Sequence, residues 1–528
     1  MMGGNWSCCC ARVFALNLMA LGWSAETVGA ETYVVGPGEE YATPSAVPWE
    51  SLAAGDVVEI HWRAEPYRDK WVVVGEGTGS APVVIRGIPG PDGQLPVIDG
   101  ANATTRLELD YWNENRSVIK VGGSSTPPDL RPMWIVIENL DVRGAHPSNS
   151  FTDDAGNTQT YSSNAASIHV QRGNHVTIRN CVIRDSGNGL FVGSYDWQST
   201  ENVVIEGCHI YGNGIVGSFF EHNTYTEALG IVYRFNRFGP LRPGAGGNNL
   251  KDRSAGLVVA YNWIEDGNRQ LDLVDAENRP LINQHPSYGA THVYGNVLIE
   301  SDGEGNSQIG HYGGDSGTTS TYRKGMLYFH HNTVYTTRSG NSTLFRLSTS
   351  DENADVRHNI LMCTAPGQRL AMLNGEGTMQ LRRNWIRSGW VDSHGSSGVV
   401  QDDGTQILGS SPGFFDASNQ DFRLTAKSAA IDGALEPHAG AAAPTSEYRV
   451  HRRTGPRPGN GDVLDLGAME LREAADLDGD GVVNVDDLVA LLAGWGPCPD
   501  PPTLCADVTG DGEVDVDDLL SLLQAWST

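Results

Sequence analysis

A short segment of the form apolar–x–Asn–x–apolar recurs through the middle of this chain of 528 residues. From Asn180 onward, successive segments are centred 25 to 36 residues apart. Each alternates polar and apolar residues, which is typical of a half-buried strand, and no helical periodicity separates them. The central residues are Asn139, Asn180, Gly207, Asn236, Asn262, Asn296, Asn332, Asn359 and Asn384.

Single strands at this spacing predict a parallel β-solenoid, because one coil cannot bury its inner face alone and stacked coils supply the core. The recurring asparagine has a physical reason, since Asn tolerates the left-handed backbone of a sharp turn. Stacked on neighbouring coils, its amide can also hydrogen-bond along the solenoid axis. A β-sandwich or propeller with coincidental asparagines is the alternative, which nine aligned segments disfavour.

The composition argues against two classes of partner. Asp and Glu number 64 against 36 Lys and Arg, which gives a formal charge of -28. Phosphate binding requires a basic face, so this balance argues against nucleic acid and against an anionic membrane surface. The 64 glycines indicate a turn-rich protein that is mainly β.

The N-terminus has the pattern of an export signal. Arg12 precedes an apolar run, and small residues at 28–30 offer a cleavage site. A signal peptide over residues 1–30 and a secreted or cell-surface location are therefore expected. No later stretch reaches the roughly 18 apolar residues of a membrane span. Cys498 and Cys505 are expected to pair in an oxidising compartment.

A second strand is expected roughly 10 to 15 residues after each central residue. Equivalent strands of successive coils stack into one parallel sheet, whose alternate residues point outward. In the segment LKDR at 250–253, Lys251 is predicted to point outward, and Arg253, two residues later, is predicted to extend the outward row. Such a row predicts an exposed groove for an extended polymer. The row is predicted to hold His169, Phe191, Glu221 or His222, Lys251, Asp272, His311 and Arg346.

Four further stretches are AAGDVVEIHW at 53–62, APVVIRGIPGPDGQLPVIDG at 81–100, DFRLTAKSAAIDG at 421–433 and DLGAME at 465–470. They resemble the entry and exit regions of right-handed parallel β-helix proteins of the pectate-lyase-like type. The resemblance implies a right-handed β-helix over residues 31–470 and an extracellular polysaccharide as substrate. Many relatives are lyases that cleave uronate polymers by β-elimination, so a polysaccharide lyase is the expected enzyme.

Elimination requires removal of the weakly acidic C5 proton after a cation or a calcium ion has neutralised the adjacent carboxylate. Lys251 is the expected base, because neighbouring cations depress one another's pKa, and Arg253 is expected to bind the substrate carboxylate. His222 or His311 is expected to protonate the leaving oxygen. The expected substrate-binding residues are His169, Phe191, Glu221 and Arg346.

Lys251 resembles the catalytic lysine of the alginate-lyase and chondroitinase-B-like family. The catalytic arginine of that family lies about one coil later, which points to Arg269, with Asp272 just beyond it on the strand. The family also has acidic calcium ligands shortly before the lysine, whereas residues 243–247 read PGAGG. Neutralisation by Arg253 is therefore the expected route, and a calcium ion at this site stays an open alternative.

Two other classes of function remain open. A glycoside hydrolase on the same scaffold would use carboxylates that flank the bond, for which Asp272, Asp275 and Glu221 are candidates, and an epimerase belongs to the same alternative. A non-catalytic solenoid that binds glycans or attaches to a cell surface is the third class. Formation of an unsaturated sugar end separates the lyase from both.

The last 53 residues contain a duplicated acidic motif. DLDGDGVVNVDD begins at Asp476 and DVTGDGEVDVDD at Asp507, an offset of 31 residues. Oxygen-bearing side chains at these positions are typical of a calcium loop, so two bound Ca²⁺ are expected. The predicted ligands are Asp476, Asp478, Asp480, Val482, Asn484 and Asp487 in the first loop, and Asp507, Thr509, Asp511, Glu513, Asp515 and Asp518 in the second.

Both loops end in Asp where an EF-hand normally has Glu, and the second repeat lacks an entering helix. These features resemble dockerin modules, which implies a dockerin-like domain over residues 471–528. The resemblance also implies a cohesin-type receptor, on a scaffold or cell surface, as the partner. Positions that help recognition in such relatives hold Val485, Asp486, Val516 and Asp517 here.

Overall fold

The computed structural model describes residues 29–449, 453–458, 463–478, 482–498, 505–509 and 512–526. The predicted signal peptide lies outside the described residues, apart from its last two positions. Among the described residues, no helix combines the length and the apolar character needed to cross a bilayer.

Three long sheets of parallel strands form the body of the molecule, because successive coils add one strand to each, as the repeat spacing predicts. The strands of the first sheet are Thr32–Val35, Val57–His61, Val83–Ile88, Met133–Glu138, Asn174–Arg179, Glu201–Glu206, Leu229–Arg234, Ala255–Ala260, Ala290–Tyr294, Gly325–His330, Glu352–Arg357, Thr378–Arg382 and Val399–Asp402. Those of the second are Val97–Asp99, Asp141–Arg143, Val182–Arg184, His209–Tyr211, Arg237–Phe238, Trp263–Glu265, Val297–Glu300, Thr333–Thr336, Ile360–Cys363, Trp385–Arg387 and Ile407–Gly409.

The third sheet carries the candidate site. Its strands are Asp69–Val73, Ala103–Thr105, Ser117–Val121, Ser150–Thr152, Thr158–Thr160, Ala166–Val170, Asn188–Val192, Thr224–Thr226, Leu250–Asp252, Leu271–Leu273, Gln308–Tyr312, Ser342–Leu347 and Leu370–Gly375. Short antiparallel pairs also occur, namely Asp110–Tyr111 with Ser124–Thr126, Phe414–Asp416 with Asp421–Leu424, Ser446–Arg449 with Arg453–Pro456, and Gly496–Pro497 with Glu513–Val514. The α-helices are Pro280–Asn283, Val485–Ala493 and Val516–Gln524, and 3₁₀ turns cover Pro44–Ala46, Glu114–Arg116, Pro286–Gly289, Thr319–Thr321, Gly367–Arg369 and Ala417–Asn419.

The core is a set of apolar stacks inside the coils. In the first sheet, Ile135, Val176, Val203, Ile231 and Leu257 are successive partners and all are buried. Alternation along each strand sends these side chains inward and their neighbours outward. Burial of each such side chain contributes about 1.5–3 kcal/mol, so the stacks hold the coils in register.

Asparagines form a hydrogen-bonded ladder in the turn between the first and second sheets. Asn296 Oδ1 accepts hydrogen bonds of 2.9 Å from both the backbone N–H and the amide of Asn262 in the preceding coil. The ladder ends where Gln406 takes over as the acceptor. The expected bonding along the axis is confirmed for Asn236, Asn262, Asn296, Asn332, Asn359 and Asn384.

The alignment of Asn139, Asn180 and Gly207 with this ladder is wrong by one residue. Their φ angles are 59°, 54° and 61°, so they occupy the left-handed position of the turn themselves. In the coil of Asn236 that position belongs to Phe235, with a φ of 59°, and the asparagine follows it. Cys181 therefore stands in line with Asn236. The two roles of asparagine, left-handed backbone and amide bonding, fall on adjacent positions.

The C-terminal segment contains two helices that begin alike. Asn484 and Asp515 cap their N-termini, and each helix starts with a capping box. A disulfide joins Cys498 to Cys505, so the expected pairing is confirmed. The apolar cluster of the solenoid and that of the two helices meet in the chain between residues 471 and 474. Leu471 packs against solenoid residues, whereas Ala474 packs against the helices.

Candidate functional site

A single row of outward side chains crosses the third sheet. Each residue is the direct partner of the next on adjoining coils, so the row runs along the solenoid axis. Six of the predicted members lie in it, as the alternation of the strands indicates. The row holds Lys120, His169, Phe191, Tyr225, Lys251, Asp272, His311, Arg346 and Asn374.

The placement of Glu221 or His222 in the row is wrong, and Tyr225 occupies the position. The loop that leads to this strand is long, so the strand begins only at Thr224. His222 still lines the cavity described below, whereas Glu221 is buried and does not line it. The sequence Thr-Tyr-Thr at 224–226 alternates as a strand should, and this signal identifies Tyr225.

The N-terminal part of the row is covered rather than exposed. His169 is 2% exposed, and its burial beside Arg116 and Lys120 holds the pKa of its imidazole well below the usual range. Because its side chain is not accessible to a ligand, His169 does not fit the substrate-binding role that was expected of it. Phe191 is half-buried and stacks on Tyr225, with ring centres 5.1 Å apart.

A cavity of about 740 Å³ lies over the middle of the row. Loops cover it, so Lys251, Asp272 and His311 are buried, which corrects the expectation of an openly exposed sheet. Its lining combines aromatic, cationic and acidic side chains. The lining residues include Phe219, Phe220, His222, Tyr225, Glu227, Asn248, Lys251, Arg253, Arg269, Asp272, Arg279, His311, Asp315, Tyr322 and Arg346.

Lys251 is held between two carboxylates. Its Nζ lies 2.7 Å from Asp272 Oδ2 and 2.5 Å from Asp315 Oδ2. Burial alone would lower the pKa of Lys251, but the two carboxylates outweigh burial and the pKa is raised. The expectation of a lowered pKa is wrong, because the sequence did not indicate that Asp315 reaches this lysine. A protonated, paired ammonium is a poor base.

Arg253 extends the cationic site, as expected. Its Nη2 lies 2.8 Å from Asp315 Oδ1, and its Nε donates a 2.7 Å hydrogen bond to the hydroxyl of Tyr225. Burial opposes the charge, yet Tyr225 and Asp315 raise the pKa of the guanidinium further. Lys251 and Arg253 thus form a clamp on one carboxylate, that of Asp315, and we refer to the pair as the clamp.

Asp315 reaches the clamp because Asp275 fixes its loop. Asp275 is buried and accepts hydrogen bonds from the backbone N–H of Asp315 and the hydroxyl of Ser316. The Asp315 side chain remains 33% exposed toward the cavity, and the clamp lowers its pKa despite partial burial. Asp275, a candidate carboxylate for hydrolysis, therefore serves to hold this loop.

Asp272 is the buried anion beneath the clamp. Burial would raise its pKa, but Lys251 and a hydrogen bond from His311 hold it well below the usual range. Asn248 Nδ2 donates a further 2.8 Å hydrogen bond to it. Arg269 lies 3.7 Å away, as the predicted neighbour of Asp272, and also contacts Gln308. Asp272 is therefore ionised and cannot act as a general acid.

The two cavity histidines are neutral near pH 7. Burial, with Lys251 nearby, lowers the pKa of His222 to about 3. Its Nδ1 accepts a 2.8 Å hydrogen bond from the backbone N–H of Asn248, so the ring proton is on Nε2. Burial also lowers the pKa of His311, whose nitrogens contact Asp272 at 3.0 Å and Ser348 Oγ at 2.8 Å. The expected protonation of the leaving oxygen by one of these residues would therefore have to come from a neutral imidazole near pH 7.

Glu227 is a cavity carboxyl that the sequence pattern did not indicate. Burial raises its pKa to about 7, although Arg279 and Arg253 oppose the shift. Arg279 Nε lies 3.3 Å from Glu227 Oε1. Glu227 directly follows the strand Thr224–Thr226. The strand of this coil was predicted too early in the sequence, so Glu227 was not predicted to lie near the row. A carboxyl with a pKa near 7 is suited to proton transfer at neutral pH.

Among the described residues of the C-terminal segment, the predicted calcium ligands of the two loops occupy equivalent places. In the first loop, ligand oxygens of Asp476, Asp478 and Asp487 lie within 4.8 Å of one another. Their oxygen chemistry fits Ca²⁺. Asp480 and Asp511 lie outside the described residues. In the second loop, Thr509 lies 3.3 Å from Asp507. Asn484 and Asp515 are the equivalent helix caps. Asp487 and Asp518 are also equivalent, and both accept backbone hydrogen bonds. Val482 and Glu513 each lie two residues before the cap of their loop.

Comparison with known proteins finds no family model that matches the chain and no similar curated protein. Solved structures are similar at low identity. An alginate lyase from Paenibacillus sp. is 13% identical, with a TM-score of 0.37 over 71% of this chain and 99% of the other. The pectate lyase Pel9A is 12% identical, with a TM-score of 0.42 over 84% and 96%. A lacto-N-biosidase from Eubacterium ramulus is 12% identical, with a TM-score of 0.41 over 72% and 68%.

Proposed function

We propose that the chain is an exported carbohydrate-active enzyme that binds a uronate-containing polysaccharide along the third sheet and cleaves it by β-elimination. The observation that supports this proposal is the clamp, in which Lys251 and Arg253 hold a carboxylate at 2.5 and 2.8 Å. A uronate carboxylate has the charge and shape of the Asp315 side chain, so it can replace Asp315 on the same two cations.

The clamp supplies the electrostatic part of the reaction. Positive charge on the uronate carboxylate stabilises the negative charge that develops at C5 as its proton leaves. Lys251 is buried and the Arg253 side chain is only 15% exposed, so their effect on that charge is stronger than it is in water. Arg269 and Arg346 add positive charge at the C-terminal side of the cavity. Lys251 acts here as a neutraliser and not as the base.

Glu227 is the proposed base. Its carboxylate takes the C5 proton, the electrons of that C–H bond form the C4–C5 double bond, and the C4–O bond breaks. The leaving oxygen then requires one proton, for which the Tyr225 hydroxyl, fixed by Arg253, is the proposed donor. The proton balance closes when Tyr225 is reprotonated and Glu227 loses its proton to solvent.

Ultraviolet absorbance of unsaturated uronide ends tests this proposal. The mature protein, Glu227→Gln and Lys251→Ala are incubated with polygalacturonate, alginate and glycosaminoglycans, each with and without calcium. Wild type should produce absorbing ends on at least one substrate, and Glu227→Gln should lower the rate about 100-fold or more. Glu376→Gln, an exposed change outside the cavity, is the matched control and should retain the wild-type rate.

Two outcomes contradict the proposal in different ways. Full activity in Glu227→Gln would remove Glu227 as the base while the lyase stands. Reducing sugar released without absorbance would instead identify a hydrolase. One observation favours that second candidate, because Glu227, with a pKa of about 7, lines the same cavity as the ionised Asp272. Two carboxyls with separated pKa values are the usual acid and base of a glycosidase.

The C-terminal segment is proposed to bind two Ca²⁺ and to dock on a cohesin-type partner. Each helix exposes one apolar stripe at helical spacing, and the two stripes correspond at the offset of 31 residues. Exposed apolar stripes of this kind are typical of docking surfaces. The stripes consist of Val485, Val489 and Leu492 on one helix, and Val516, Leu520 and Leu523 on the other.

Titration against a panel of cohesin modules, with calcium and with EGTA, tests the docking. Calcium-dependent binding that Val489→Asp combined with Leu520→Asp abolishes would support it. A single member of the panel suffices, because the recognition positions differ among such partners. Calcium-independent binding, or none to any module, would contradict the proposal.

A further inference from the structure

An aromatic surface lies beside the cavity, toward the N-terminal end of the third sheet. Trp112 is 37% exposed and Trp197 is 64% exposed. They flank the guanidinium of Arg172, whose Cζ lies 5.6 Å from the centre of each indole ring. Single exposed apolar residues are ordinary, but two exposed indoles arranged around one arginine indicate a binding surface. We refer to these three residues as the aromatic surface.

The aromatic surface is held in place before any ligand arrives. Arg172 is buried, and its Nε and Nη1 lie 2.7 Å from Asp129 Oδ2 and 3.1 Å from Gln198 Oε1. Trp197 stacks on Tyr195, with ring centres 5.2 Å apart and planes at 13°. Because these rings are already ordered, a ligand that stacks on them loses little of its binding free energy to ordering the protein.

The aromatic surface is continuous with the cavity. Asp196, next to Trp197, lies 2.7 Å from Arg279, and Arg279 lies 3.3 Å from Glu227. Arg279 and Glu227 both line the cavity. Strands of a sheet are about 4.8 Å apart, so the two coil steps between Trp197 and Lys251 cover about 10 Å. The four steps from Trp112 cover about 19 Å along the axis.

We propose that Trp112 and Trp197 form outer subsites that stack the pyranose rings of the same polysaccharide whose uronate occupies the clamp, an inference that rests on the proposed function. The C–H bonds on one face of a pyranose carry partial positive charge and meet the negative face of an indole. The polysaccharide then extends from the cavity toward the N-terminal coils of the protein, and longer oligosaccharides bind more tightly than short ones.

Binding of oligosaccharides of two and eight residues, measured by calorimetry, tests the inference without requiring catalysis. The series includes oligogalacturonates, oligoalginates and neutral cello- and xylo-oligomers. Trp197→Ala should weaken binding of the octamer roughly tenfold or more and leave binding of the dimer unchanged, and Trp112→Ala should act in the same direction. Trp495→Ala, an exposed tryptophan in the C-terminal segment, is the matched control and should change neither.

The outcomes separate this inference from the proposed function. Loss confined to long uronate oligomers supports both. Loss confined to long neutral oligomers supports the outer subsites and contradicts a uronate substrate. An octamer that binds Trp197→Ala as tightly as wild type overturns the inference, even when unsaturated ends are still formed. Absence of length-dependent binding for every oligomer also overturns it.

Discussion

At the scale of single residues, the candidate site is a balance of buried charges. The clamp cations are matched by Asp272 and Asp315, and neither lysine nor arginine is left unpaired there. Glu227 differs, because its raised pKa lets it gain or lose a proton near pH 7. The chemistry of the site therefore depends on which of these carboxyls is ionised.

The pH dependence of kcat/KM distinguishes the two proposed roles of Glu227. A base must be deprotonated, so a lyase should gain rate as the pH rises through about 7. A general acid must be protonated, so a hydrolase should lose rate over the same interval. In Glu227→Gln the inflection should disappear. An inflection that survives this substitution would assign it to another group.

Asp272→Asn should destabilise the fold by about 3 kcal/mol at pH 7, because it removes a buried anion from Lys251 and Arg269. The pKa of Asp272 is depressed, so this contribution is present above its unfolded pKa of about 3.9 and is lost as the pH falls below that value. Urea midpoints at several pH values measure it. Asp351→Asn, in an exposed pair with Lys324, should cost less than about 1 kcal/mol. Equal losses of stability in the two variants would contradict a stabilising role for the buried charge of Asp272.

At the scale of structural elements, the asparagine ladder joins the coils where the chain turns from the first sheet to the second. Asn296 accepts from Asn262 and donates to the carbonyls of Val259 and Tyr294. Asn262, Asn296 and Val259 are buried, and Tyr294 is half-buried. An unmade bond at this depth costs the desolvation of its former partners.

Asn296→Ala should therefore cost about 3 kcal/mol or more, since it leaves several buried donors and acceptors unpaired. Chemical unfolding followed by circular dichroism measures the loss. Asn341→Ala is the control, because Asn341 is exposed and accepts a hydrogen bond from the exposed Arg369, and it should cost less than about 0.5 kcal/mol. A similar small cost for both would mean that the ladder contributes little to stability.

At the scale of the whole molecule, a long solenoid precedes a small helical segment with its own apolar cluster and a disulfide. The two parts are expected to depend differently on calcium. The solenoid is held by stacked strands, whereas the acidic loops bring several carboxylates close together, and a bound cation offsets their repulsion.

Calorimetric titration of the full chain should give two calcium sites. Asp476→Ala and Asp507→Ala should each remove one, because each changes the first ligand of a loop. Asp92→Ala, an exposed change on the solenoid, is the control and should leave both. EGTA should lower the unfolding midpoint of the helices and leave that of the sheets unchanged. Two sites retained in both Asp→Ala variants would contradict the ligand assignment.

The repeat, the strand alternation and the duplicated acidic motif could be predicted from the sequence, because each is a local periodicity. A side-chain period of two fixes which residues of LKDR or IGHY face outward, whatever the rest of the chain does. The row from His169 to Arg346 followed from that rule. It failed at Tyr225, where an unusually long loop displaced the strand and concealed Glu227 as well.

Only the tertiary structure decided what faces the clamp. Lys251 and Asp315 are 64 residues apart, and their contact depends on the path of a loop that Asp275 fixes. No local period encodes that path. Burial of Lys251, Asp272 and Glu227, and hence the direction of their pKa shifts, follows from the same loops. The sequence by itself determined the scaffold and its row of side chains, whereas loop packing determined their charge states.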